Sequence, residues 1–90
     1  MSEKRREIRA KQRAREILSR SHYDIINSDN EVFSIIALRR IEARLIRVVL
    51  DKVSEVEKDI VRKIKNPMNC TKEIWIKKID RQDFDVLEIK

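Results

Sequence analysis

The chain contains no glycine, and Pro67 is its one proline. Turns therefore fall to Asn, Asp and Ser, which tolerate turn geometry at some cost. A glycine-free chain also loses less backbone entropy on folding. Ninety residues make a single domain, 1–90, with a small core of the kind often completed by a partner or a second copy. Aromatic residues are 4% of the chain, so Ile and Val carry the apolar load. Abundant Ile, Lys, Arg and Glu with one Cys fit a thermophile protein, although an AT-rich genome gives much the same bias.

The charge is localised. Residues 1–20 carry eight Lys and Arg against three Glu, a net +5 of the whole chain's +6. A cationic segment of this kind addresses a polyanion, whereas uniform basicity serves only solubility. Glu3 to Ser19 is rich in helix formers, so a basic helix is expected over 1–20. Arg5, Arg9 and Arg13 recur every four residues and line up on it. Together with Lys4, Arg6, Lys11 and Arg20 they form the candidate nucleic-acid contact, since a guanidinium grips phosphate through a planar fork. The competing reading is a solvated helix face. No aromatic interleaves these arginines, which argues against stacking of single strands and for backbone or shape recognition.

Ser28-Asp29-Asn30-Glu31 reads as a capping box, and Asn66-Pro67 as a stop. Between them the apolar spacing predicts one long helix over 28–66, broad and greasy at first and narrowing to Val53, Val56, Ile60 and Ile64. Arg40, Arg44 and Arg47 would lie on its opposite side. One short helix cannot cover so much apolar surface, so Phe33, Ile36, Ile41, Leu45, Val48 and Val49 are expected at a protein interface, with Trp75 as an anchor. Beyond Pro67 the period changes to two. Residues 72–90 are expected to form a β-hairpin, with Ile79 opposite Phe84, a four-residue loop, and Ile74, Ile76, Leu87 and Ile89 on one face; one short strand followed by a short terminal helix from Arg81 is the competing reading. The expected class is thus mainly α (α+β): a basic N-terminal helix, one long central helix and a C-terminal hairpin. A histone-like helix-strand-helix is the alternative.

Catalytic groups are scarce. His22 stands alone in a connection, and Cys70 has no histidine near it in sequence. No glycine-rich phosphate loop is possible. No metal site, cofactor or small-molecule substrate is expected, and the chain reads as not an enzyme. No run suits a membrane span, and the first residues lack the apolar core of a secretory signal. The expected location is cytoplasmic and nucleoid-associated, or nuclear in a eukaryote.

LRRIEARLIRVVLDKV, residues 38–53, resembles the mid-helix of the helical domain of archaeal GINS replication subunits, which also open with a charged helix similar to REIRAKQRAREILSR. LIRVVLDKV, residues 45–53, is similar to the central helix of a core histone. Both resemblances imply a DNA-handling assembly. The expected function is a non-catalytic accessory protein of a nucleic-acid machine in DNA replication, transcription or chromatin. It would dock to a protein or to its own copy and touch the nucleic acid, DNA rather than RNA, through the basic helix. The alternative is a protein-interaction module, a homo- or hetero-oligomer without nucleic-acid contact. A small regulator or toxin-antitoxin component forms a third class.

Overall fold

The computed structural model describes residues 3–27, 32–65 and 69–90. The order is α1 (Glu3–Arg20), β1 (Asp24–Asn27), β2 (Ile35–Arg39), β3 (Glu42–Leu50), α2 (Glu55–Lys63), β4 (Cys70–Lys77) and β5 (Phe84–Ile89). The five strands form one sheet in sequence order, antiparallel throughout except for the parallel β3–β4 pair. The protein is an α+β domain with a helix on each face of a mixed sheet, not a mainly helical one.

The expected long helix over 28–66 is overturned. Its first part is a β-hairpin, its end is the short α2, and the histone-like alternative fails with it. The physical reason is the apolar excess itself. A strand covered on both faces needs large side chains at every position, because neighbours point to opposite sides. Ile35, Ala37, Ile46 and Val48 pack under Ala14, Ile17 and Leu18 of α1, together with Trp75 and Phe84. Leu45 and Val49 face the other way, onto Val61 and Ile64 of α2, with Phe33, Ile74, Ile76, Leu87 and Ile89. Residues that seemed to demand a partner are thus mostly shared between two cores within the chain.

The turns show how a chain without glycine manages. His22, Arg40, Asp51 and Asn69 all take left-handed backbone, with φ of 68°, 54°, 65° and 64°. His22 closes α1: its amide donates to the Ser19 carbonyl and the Tyr23 amide to that of Leu18, a Schellman pattern usually built on glycine. Arg40 opens the two-residue turn between Arg39 and Glu42. At α2 the Glu57 amide donates to Ser54 Oγ at 3.1 Å, so the capping serine of this helix is Ser54. The capping box expected at Ser28–Glu31 and the stop at Asn66-Pro67 lie outside the described residues.

The C-terminal strands pair antiparallel, but as one side of the five-stranded sheet rather than as a free hairpin. Lys77, not Ile79, stands opposite Phe84, and Ile74 is opposite Leu87. The shift is two residues, so Ile74, Ile76, Leu87 and Ile89 still share a face. Ile79 lies beyond β4 and is 77% exposed. Lys72 is buried on the α2 side, its Nζ donating to the carbonyls of Arg62 and Ile64 at 3.1 and 2.7 Å. A cation there satisfies carbonyls at the end of α2. Lys72→Met, which keeps the stem but loses the donor, is expected to cost about 1–3 kcal/mol. A urea unfolding midpoint unchanged from the parent would show that water replaces it.

Candidate nucleic-acid interface

Ala10, Ala14 and Leu18 are the residues of α1 pressed onto the sheet, one helical turn apart. That anchor sets where the arginines go. Arg6, Arg9 and Arg13 fall along one flank of the helix, over the ends of β3 and β4. There they line a cleft of about 640 Å³ with Ala10, Leu50, Lys77, Ile79 and Gln82. Leu50 and Lys77 are the last residues of two parallel neighbours. In open α/β sheets the crevice beyond the carboxyl ends of parallel strands is the usual ligand site.

Among the described residues no carboxylate lines this cleft. Several stand beside it, Asp51, Glu16 and Asp83 among them. Asp51 accepts from Arg6 through both guanidinium nitrogens, at 2.8 and 3.1 Å, in the fork geometry a phosphate would take. This hydrogen bonding holds the exposed Asp51 carboxyl below the usual carboxylate range. Glu16 pairs with Arg13 at 3.3 Å. Lys77 Nζ donates to the carbonyls of Lys78 and Arg81, which ties it to the start of the β4–β5 connection.

Of the other expected contact residues, Lys4, Arg5 and Arg20 are exposed on α1, and Lys11 is half-buried. The cleft thus gathers Arg6, Arg9 and Arg13, while Arg20 lies at the far end of the helix. Lys77, Ile79 and Gln82 were not expected there. The signal for them was faint, because only the topology brings the β4–β5 connection beside α1.

The expected protein-interface residues are placed differently from one another. Phe33 and Trp75 are buried, and Leu45, Val48 and Val49 are half-buried against the two cores. Ile36 is half-buried. Ile41, at the tip of the β2–β3 hairpin, is 83% exposed.

A second polar cluster lies on the same face of the sheet as α1. Glu73 accepts from Arg44 at 2.5 and 2.8 Å, from Thr71 Oγ1 at 2.6 Å and from Trp75 Nε1 at 3.0 Å. The Arg44 guanidinium lies near the rings of Tyr23 and Trp75, at 5.3 and 5.4 Å. Burial pushes the Glu73 carboxyl up, but the bonds from Arg44, Thr71 and Trp75 outweigh it and leave it below the usual range. Its donors leave little of Glu73 for chemistry, and the cluster reads as a structural clamp across β3 and β4. Arg44 belongs to that clamp, and Arg47 pairs with Glu57 of α2 at 3.5 Å. Only Arg40 of that trio remains exposed.

Among the described residues no group of three or more His, Cys, Asp or Glu is placed to hold a metal ion. No helix among them is long and apolar enough to cross a membrane. No protein family, curated protein or solved structure matches the chain.

Proposed function

We propose that this chain is a non-catalytic binding protein that holds a nucleic-acid backbone in the cleft between α1 and the β4–β5 connection. The observation that carries the reading is the convergence of Arg6, Arg9, Arg13 and Lys77 on one cleft whose described lining includes no acid. Arginine suits this role because it stays charged at any relevant pH and meets phosphate through two parallel N–H bonds. The Asp51 carboxylate already holds Arg6 through both nitrogens, so a phosphate reaching Arg6 would displace or share that pair.

The test is the salt dependence of binding to oligonucleotides. Replacing Arg6, Arg9 and Arg13 with Gln is expected to weaken binding to unrelated sequences alike. It should flatten log K against log salt by about two to three units. Replacing Lys63 and Lys65 with Gln, outside the cleft, should leave the slope near the parent's. Equal slopes for all three proteins would remove the cleft from the binding site.

Docking to a protein is the second reading. Val56 and Ile60 are exposed one turn apart on α2, and Ile41 stands out at the hairpin tip. Such a contact would leave the arginine cleft open, so the two readings can hold together.

A further inference from the structure

We infer that the cleft takes single-stranded nucleic acid, with a base against its floor, rather than the outside of a duplex. The inference rests on the proposed backbone binding and adds the class of ligand. Contact with a duplex backbone asks for a ridge of cations and little else, because the bases are stacked away inside. Here the cations border a recess. Its volume, about 640 Å³, falls within the usual range of small-ligand clefts and accommodates more than a phosphate.

The recess has apolar walls at Ala10, Leu50 and Ile79. Ile79 is the telling residue. It is 77% exposed at the cleft mouth, just past the end of β4, and is absent from both cores. An Ile held in water beside arginines offers a surface for the face of a base, and guanidinium planes offer another. The lack of an aromatic among the arginines argues from sequence against stacked single strands, but the cleft brings in the apolar Leu50 and Ile79, and an unstacked base is also held between apolar side chains. Gln82 adds an amide that can donate to and accept from a base edge. The charges suit the same ligand. Successive phosphates of an extended strand would follow Arg6, Arg9 and Arg13 along the helix while a base turns inward.

The experiment compares three labelled probes at matched salt with the full chain: a thymidine oligonucleotide, an abasic oligonucleotide of equal length and charge, and a duplex. The expected order is the thymidine strand first, bound more tightly than the abasic one by a few-fold, less than a base stacked on an aromatic ring would give. Ile79→Ser, a change at an exposed position, should bring that ratio close to one and leave the salt slope unaltered. Equal binding of thymidine and abasic strands, with the slope still dependent on the arginines, would overturn the base-binding inference and leave the backbone reading intact. Tighter binding of the duplex would do the same. No salt-dependent binding of any probe would overturn both.

Discussion

Replacing Glu73 with Ala is expected to lower the unfolding free energy by about 3 kcal/mol, the low end of the range for breaking a buried ion pair. The side chain is 6% exposed and Arg44 is 23% exposed, so a removed carboxylate is poorly replaced by water. Its loss strands a guanidinium between two rings and leaves the Thr71 hydroxyl and the Trp75 indole N–H without their acceptor. Converting both partners to apolar residues, Glu73→Leu with Arg44→Met, should recover most of the loss, because no charge is then left alone. The pair also sets an acid limb. The folded Glu73 carboxyl sits below its ordinary range, so its contribution to stability is present above the unfolded value of about 4.3. That contribution is lost as pH falls through the depressed folded value. Glu73→Gln should remove that part of the acid dependence. Urea titrations at neutral and acid pH measure both effects, and a loss under 1 kcal/mol for Glu73→Ala would mean the clamp is incidental.

Replacing Ile46 with Ala should cost about 3–4 kcal/mol, whereas Ile41→Ala should stay within about 0.5 kcal/mol. Ile46 is fully buried in β3, among Leu18, Ile35 and Trp75, with little room for the neighbours to close in. Ile41 is at the hairpin tip with most of its surface in water. Denaturant unfolding of the two variants reads the difference. Equal losses would contradict the strand–turn–strand structure of this segment.

That segment also shows where the sequence was legible and where it was not. The basic helix and the common face of Ile74, Ile76, Leu87 and Ile89 were both readable, because in each the side-chain period is undisturbed. Residues 35–50 carry two periods at once. Leu38, Ile41, Leu45 and Val49 fit a helical spacing, while Ile35, Ala37 and Ile46 are strand positions buried against α1. Glycine or proline would have marked the turn, but it is made by Arg40 and Ile41, neither of which is a turn former. The density of Ile and Val was the better guide, since β-branched residues favour strands. Ser54-Glu55-Val56-Glu57 likewise carries the capping pattern and lay unread inside the expected long helix. Of the row expected at Arg5, Arg9 and Arg13, the cleft takes Arg9 and Arg13, with Arg6 in place of Arg5. Lys77, Ile79 and Gln82 were not legible, since nothing local in the sequence ties them to α1.

The parallel seam between β3 and β4 decides when the arginine cleft exists. The antiparallel pairs close over short connections, such as Arg39 to Glu42 and Lys77 to Phe84, and each can form early from nearby chain. The seam instead joins Ala43 to Cys70 across the whole of α2, a closure with a larger entropy cost and later reward. The seam divides the topology into two parts: α1 with the first three strands, and the last two strands, with α2 linking them. The arginines belong to the first, and Lys77, Ile79 and Gln82 to the second. The first part alone holds every cation of the cleft but Lys77, yet the cleft exists only once the seam has closed.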